Sequence, residues 1–417
     1  MNNFGAIIFL TIIFLLSLFL SWYVFQAFKT LIAGINFPKT AFYLAYWLIF
    51  GSYIVYVMVT MKTIVQEGEI SAQSQAGLNA LLTVSITQLT IVLFLFGEDL
   101  YRGVQGSVNF LTDKTSVDKS YLPGRRKFIS QLALIVAAFP FLSFVYGIAK
   151  GKYNFKVIKE TLYFEDLPEA FDGFKITQIS DIHAGSFRDY DAVQRGIELA
   201  KAQNSDLFVF TGDLVNRTAD EIDPLLEKFK HLKAPYGQYS ILGNHDYGDY
   251  LQWPSPEDKI RNFNSLKAKH AQMDYRLLLD EHVTIEKGGE KIQLIGVENW
   301  GVGFKSKGDL EKALQGVAQK DFKILLSHDP SHWDEVVKTH PSNIHLTLAG
   351  HTHGMQFGIE TPVIRWSPAK YRYPNWAGLA EKAGRYLYVN RGFGFHAFAG
   401  RVGIWPEITV LELRKKV

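Results

Sequence analysis

Four stretches near the start of the chain, residues 5–28, 41–61, 76–97 and 128–149, contain no charged side chain. Each reaches the roughly 20 residues that a helix needs to cross a hydrocarbon core of about 30 Å. Trp22, Tyr23, Tyr43, Tyr46 and Trp47 stand near span ends, where amphipathic rings settle at the membrane interface. The pattern predicts a membrane domain of four transmembrane helices over residues 1–150. Gln88 and the Ser/Thr residues of the third span suit hydrogen bonds between helices, not a transport path. Pro140, inside the fourth span, is tolerated in a membrane helix. Residues 98–127 read as a polar loop between the third and fourth spans.

From about residue 153 the period changes, and short aliphatic runs alternate with amphipathic stretches. Helices are predicted over 191–202, 220–232, 256–268, 308–317 and 331–338, with strands between them. Residues 151–417 therefore read as one layered α/β domain.

The strands end in a recurrent way. Ile176 to Ser180 leads into Asp181-Ile182-His183, and Leu207 to Thr211 leads into Gly212-Asp213. Tyr239 to Leu242 leads into Gly243-Asn244-His245-Asp246, Ile324 to Ser327 into His328, and Ile344 to Ala349 into Gly350-His351-Thr352-His353. One such end is an ordinary polar turn, but five in succession present carboxylates, imidazoles and an amide together, which is a donor set for metal ions. The chain has no cysteine, so thiolate ligands are excluded and His, Asp and Asn must do the binding.

The ordered series D-x-H, GD, GNHD, H and GHxH resembles that of the calcineurin-like metallophosphoesterase superfamily, and is most similar to its bacterial, membrane-attached branch. The resemblance covers about residues 153–413. It implies a two-sheet α/β sandwich following the N-terminal transmembrane helices. Two divalent ions are implied: Asp181, His183, Asp213 and His353 would hold the first, and Asp213, Asn244, His328 and His351 the second, with Asp213 as the bridge. Oxygen and nitrogen donors suit Mn, Fe, Zn or Ni without choosing among them. Two ions about 3.5–4 Å apart acidify a water and clamp a phosphoryl group, which is the need of phosphoester hydrolysis. The resemblance also makes His245 the phosphate-facing catalytic group, with Asp246 either orienting it or holding the turn.

Two departures stand out. The protein-phosphatase branch carries G-D-x-x-D-R, whose second carboxylate steadies the catalytic histidine, whereas here Gly212-Asp213-Leu214-Val215-Asn216-Arg217 has Asn216. A Ser/Thr phosphoprotein phosphatase is thereby disfavoured. Met355 stands where a second glycine is usual. His231, His270, His282, His332 and His340 read as solvated and His345 as packed, while His396, in the glycine-rich run Asn390 to His396, is a candidate for the site's lining. The aromatic and basic run from Trp366 to Trp376 suits either a membrane interface or core packing.

Charge narrows the partners. Residues 151–417 hold 34 Lys/Arg against 35 Asp/Glu, without the basic surplus that tracks a nucleic-acid backbone. A small-molecule or lipid phosphoester of the membrane or envelope is the expected substrate. Arg102, Lys114, Lys119, Arg125, Arg126 and Lys127, together with Lys29 and Lys39, outweigh the single Lys62 of the second loop. The positive-inside bias then puts the C-terminal domain outside the cytoplasm of a bacterial cell membrane. Arg125-Arg126 before an apolar run is similar to a twin-arginine export signal, and equally to a plain positive-inside anchor. Two other readings stay open: a cytoplasm-facing nucleotide-sugar lipid pyrophosphatase, and a binding or sensory module without turnover.

Overall fold

The uncharged spans are helices in the computed structural model, which describes residues 3–67, 70–111, 123–303 and 306–416. They are α1 (Asn3–Ile32), α2 (Lys39–Glu67), α3 (Ala72–Leu111) and α4 (Pro123–Ala149), all long and apolar enough to cross a membrane. Leu20, Val24 and Ala27 of α1 pack on Ile91, Val92 and Leu95 of α3 and on Ala133 and Ala137 of α4. Gln88 donates to Ser21 Oγ at 3.1 Å, one of the bonds between helices that its place in the third span suggests.

The third helix runs further than its uncharged stretch, because the acidic pair at its polar end is compensated. Tyr23 donates to Asp99 at 2.7 Å, Arg126 pairs with Asp99 at 2.8 Å, and Arg125 faces Glu98 at 3.9 Å. With those charges met, the helix continues to Leu111 and carries Arg102 with it, so the expected loop over 98–127 is corrected. Lys127 already belongs to α4, and Lys114 and Lys119 lie outside the described residues.

The chain divides into two compact units, Met1–Tyr146 and Gly147–Val417. The second is built on two six-stranded sheets. One has the order β1 (Lys156–Phe164), β14 (Glu407–Lys415), β2 (Phe174–Ile179), β3 (Leu207–Thr211), β4 (Gln238–Ile241) and β5 (Arg276–Leu277). The other runs β12 (Gly378–Lys382), β13 (Arg385–Val389), β9 (Leu346–Ala349), β8 (Lys323–Leu326), β7 (Glu290–Gly296) and β6 (Glu281–Lys287). A separate hairpin joins β10 (Ile359–Glu360) to β11 (Arg365–Trp366).

Alternation along the strands dictates the layers, since successive side chains point to opposite faces. Leu207 and Val209 of β3 pack with Leu294, Ile324, Leu326 and Leu348 of the facing sheet, forming the middle of a sandwich. Phe208 and Phe210 face the other way and meet Val193 and Ile197 of α5 (Tyr190–Lys201), Phe229 of α6 (Leu226–Phe229) and Leu266 of α7 (Pro256–Gln272). Ile295, Leu325 and Val389 are covered by Leu310 and Ala313 of α8 (Leu310–Ala313) and by Trp333 of α9 (Ser331–Glu335). The predicted helix over 220–232 breaks into a short turn at Ala219–Ile222 and α6, because Asp223 and Pro224 interrupt it. Those over 308–317 and 331–338 are likewise shortened.

Strands β2, β3, β4, β8 and β9 run parallel within their sheets wherever they adjoin, so their carboxyl ends gather on one edge of the sandwich. Gln178 crosses between the sheets there, donating to Ala349 O at 2.9 Å and to Thr211 Oγ1 at 2.9 Å.

Candidate metal centre

At that edge the backbone is bent into sparsely populated conformations. Asp181 (φ 53°), His183 (φ 47°), Asp213 (φ 60°), His351 (φ 71°) and His353 (φ 50°) are all left-handed. Such residues cost on the order of 1–3 kcal/mol each and persist where their surroundings over-determine them. Here Asp181 N donates to Gly212 O at 2.9 Å, His183 N to Asp213 O at 3.1 Å, and His351 N to the Asp181 carboxylate at 3.0 Å. The loops lie so close that a Cβ on Gly243 would strike the Asp213 carboxylate, and one on Gly350 would strike Ser180 Oγ and Asp181.

The side chains converge in two sets. Ligand atoms of Asp181, His183 and His353 lie within 4.8 Å of one another, and so do those of Asp213, His328 and His351. In the first set His353 Nε2 is 3.2 Å from Asp181 Oδ1 and 3.1 Å from His183 Nε2. In the second, His328 Nε2 is 3.2 Å from Asp213 Oδ2 and 3.3 Å from His351 Nδ1. Asp213 Oδ2 is also 3.5 Å from His183 Nε2, so one carboxylate touches both sets. Asn244 donates through Nδ2 to Tyr250 at 2.8 Å, while its Oδ1 is buried without a hydrogen-bond partner. An acceptor oxygen left bare in a buried site fits a metal ion, because a buried polar atom otherwise finds a donor. Six of the seven expected ligands thus gather in two sets that Asp213 joins, and Asn244 stands on the turn after β4.

Comparison with known proteins bears directly on this geometry. Residues 174–355 match the family described as "Calcineurin-like phosphoesterase", and residues 5–152 match "Probable Calcineurin-like phosphoesterase, transmembrane domain". The second unit is a calcineurin-like phosphoesterase domain. The chain is 29% identical to the uncharacterized metallophosphoesterase YkuE of Bacillus subtilis, over 64% of this chain and 90% of that one. It is 28% identical to the transmembrane protein with metallophosphoesterase domain of Danio rerio, over 68% of this chain and 62% of the other. A Helicobacter pylori metallophosphoesterase is 26% identical over 80% of this chain and 82% of its own. Among solved structures, the phosphopantetheinyl hydrolase of Mycobacterium tuberculosis aligns at 13% identity with a TM-score of 0.30, too weak a superposition to carry weight. The chain is a metal-dependent phosphoesterase that carries a membrane domain.

Around these candidate ligands of the phosphoesterase domain, further groups orient the imidazole rings. Carbonyl oxygens only accept, so Thr211 O, 2.7 Å from His328 Nδ1, keeps the proton on Nδ1 and turns Nε2 toward Asp213. Burial lowers the His328 pKa, but the Asp213 carboxylate, the hydrogen bond to it, Asp181 and that carbonyl overcome this and raise it to about 10. His351 is held from Nε2 by Tyr373 at 2.8 Å, with Asp329 Oδ2 at 3.5 Å, leaving Nδ1 inward. His353 is different: Arg401 lies 3.2 Å from its Nδ1, and its Nε2 faces Asp181 Oδ1 at 3.2 Å.

Asn216, the departure from G-D-x-x-D-R, stands at the centre of this tier. Its Oδ1 is 3.0 Å from His183 Nδ1 and 3.0 Å from His396 Nδ1, and its backbone oxygen is 2.9 Å from His245 Nδ1. Its Nδ2 donates to Ser186 at 3.1 Å, and its own N–H donates to Glu221 at 2.6 Å. Three imidazoles therefore share one residue as acceptor, each through Nδ1. The rings of His183, His245 and His396 lie 4.5–4.9 Å apart, and one nitrogen of each lies within 4.8 Å of the others, a third grouping that could hold an ion. His396 joins the site, with its backbone N–H held by Gln356 at 2.6 Å.

The other singled-out residues sort by burial. Asp246 does not touch the His245 ring. Its carboxylate accepts from the backbone N–H groups of Gly243 and Asp213 at 2.9 Å each, Leu214 at 2.8 Å and Val215 at 3.3 Å. Burial and the Asp213 charge nonetheless push its pKa up to about 7. Of its two expected roles, orienting His245 or holding the turn, these four bonds favour holding the turn. His270 and His332 are corrected from solvated to buried: His270 bonds Ser240 at 2.9 Å, and His332 bonds Ser327 at 2.8 Å and stacks on Trp300. His345 is packed against Phe322. Tyr250, Asp329 and Arg401 escaped the sequence reading because each reaches the site from a loop with no periodic signal.

Replacing Asp246 by Ala orphans four buried N–H donors, and unfolding of the purified chain should become easier by about 3 kcal/mol or more. An unchanged thermal transition with lost turnover would return Asp246 to a catalytic role.

Proposed function

We propose that Asp181, His183, Asp213 and His353 hold one divalent ion and Asp213, Asn244, His328 and His351 a second, and that the pair hydrolyses a phosphodiester or phosphomonoester of the membrane or envelope. The observation that carries the reading is the bare, buried Oδ1 of Asn244 beside two His/Asp sets that share Asp213. Bound there, two ions would activate a water and offset charge on the phosphoryl oxygens. The chain's own residues supply the rest. Asp213 presents Oδ2 to both sets while its Oδ1 accepts the His245 N–H at 2.9 Å, which fixes the backbone that carries the catalytic ring. His245, pinned through Nδ1, has no partner for Nε2 among the described residues, which suits a contact to the phosphoryl group or leaving oxygen.

Activity on bis(4-nitrophenyl) phosphate should appear with added Mn and vanish with a chelator. His245→Ala should then lower kcat by about 10²–10⁴-fold, the scale of a lost acid–base group, while metal content measured by mass spectrometry stays at the wild-type level. Loss of metal along with turnover would make His245 a ligand instead.

Asn216 gives a sharper test of the outer tier. Asn216→Leu should weaken metal retention by about 10–100-fold, the usual cost of losing a group that orients a ligand, and Asn216→Asp, which keeps an acceptor, should restore it. Equal retention in both variants would reduce Asn216 to packing.

The charge asymmetry of the loops supports an extracytoplasmic phosphoesterase domain, with Arg125 and Arg126 serving as a positive-inside anchor. A reporter active only outside the cytoplasm, fused after Val417, should give signal. Signal from a cytoplasm-only reporter would favour the nucleotide-sugar lipid pyrophosphatase reading.

A further inference from the structure

Three residues after the His353–Gln356 turn, the chain forms the β10–β11 hairpin, and its tip is apolar and bare. From Ile359 to Arg365 every residue is exposed, with Val363 91%, Ile364 53% and Ile359 51% accessible. Pro362, Val363 and Ile364 make a consecutive apolar run in water, a pattern that soluble surfaces avoid unless it has a use. The tip is ordered by its own bonds: Thr361 N donates to Ile364 O at 2.8 Å, and Thr361 Oγ1 accepts from Ile364 N at 2.9 Å. Beneath it, Tyr373, Trp376, Ala377 and Ile404 form a small buried core, which disposes of the core-packing question for those rings. Tyr371, by contrast, is 76% exposed, between Lys370 and Arg372.

We propose that this hairpin, with Lys370 and Tyr371 following it in the chain, dips into the headgroup region of the lipid bilayer, and that the phosphoesterase takes its substrate from that surface. Two observations choose a bilayer over a protein. The same chain carries four helices fit to span a membrane, so a bilayer is tethered to the domain. The composition is that of an interfacial anchor: aliphatic residues at the tip, an exposed aromatic ring flanked by cations in the segment that follows, and an acid, Glu360, already paired with Arg391 at 2.5 Å. The link to the site is short. Tyr373, two residues beyond Tyr371, bonds His351 at 2.8 Å, so the proposed lipid contact and a proposed metal ligand lie on one continuous piece of chain. The substrate class that follows is a phosphoester whose apolar part stays in the membrane, which rests on the function proposed above.

The absence of cysteine makes the test clean, because a single introduced thiol is the only label site. Full-length Val363→Cys, reconstituted in vesicles of phosphatidylglycerol and phosphatidylethanolamine and labelled with an environment-sensitive dye, should be quenched by nitroxide lipids and shielded from aqueous iodide. Lys201→Cys, on an exposed turn of α5, should show the reverse. Iodide quenching of both labels, or a label at 363 shielded from iodide and lipid alike, would overturn the proposal. Separately, Val363→Glu/Ile364→Glu should lower hydrolysis of a vesicle-embedded phospholipid by about tenfold or more, the scale of two lost aliphatic insertions, and leave soluble bis(4-nitrophenyl) phosphate within about twofold. Equal loss on both substrates counts against it. If neither substrate is cleaved by the wild type, the proposed function fails while the quenching still decides the hairpin.

Discussion

The second unit is arranged around one buried carboxylate. Asp213 is removed from water, and a bare charge in such a place is too costly to persist without partners. Burial alone would push its pKa up, but the imidazoles of His328, His245 and His183 reverse this and hold it well below the ordinary carboxylate range. Every neighbouring feature answers to that charge. His328 is made basic by it, His245 takes its place through an N–H to Oδ1, and Gly243 must be glycine because Oδ1 occupies the space of a side chain. The two sheets meet at this edge so that β2, β3 and β4 deliver groups from one side and β8 and β9 from the other.

The left-handed residues follow from the same demand. A strand that ends on a ligand continues outward unless the backbone reverses at once, and Asp181, Asp213 and His351 reverse without the freedom of glycine. Asp246 helps hold that geometry, since four N–H groups from two loops converge on a carboxylate and tie the Asp213 loop to the turn after β4. Its motif position beside His245 suggests chemistry, while its oxygens are engaged in architecture. Met355 shows a smaller version of the conflict: it occupies φ 48°, where the glycine usual in the family would sit without strain.

What could be read from the sequence follows the reach of local pattern. Strand periodicity placed the candidate ligands at strand ends, because a side chain there is positioned by that strand alone. The sandwich was legible from the ordered motifs, and the membrane helices from uncharged length. Contacts made across loops were not. Tyr250 meets Asn244 through a turn with no period, Arg401 arrives from beyond a glycine-rich run, and Asp329 sits next to His328 without any spacing that marks it as a partner of His351. The extension of α3 to Leu111 needed the knowledge that Asp99 is paired with Tyr23 and Arg126, residues 76 and 27 positions away. His270 and His332 read as polar-surface residues, because the small partners that each bonds through Nδ1, Ser240 and Ser327, lie at strand ends that the pattern does not connect to them.

Asn216 turns an apparent deficiency into a different solution. A carboxylate beside His245 would make that ring more basic and add a negative charge next to Asp213 and Asp246, already two buried acids. A backbone carbonyl fixes the same tautomer of His245 without adding charge. The amide side chain is then released for other work, and its one oxygen accepts from His183 on the metal side and from His396 on the other. Because a single residue orients rings on both sides, a shift of the 212–217 loop would disturb metal retention and the phosphate-facing pair together. That loop is fastened from behind by Glu221, which accepts the Asn216 N–H within a capping box begun by Thr218, and a Cβ on Gly185 would collide with the same carboxylate. The orientation of the His245 imidazole, the proposed catalytic group, thus traces back, through one backbone oxygen, to the packing of a short turn on the outer face of the domain.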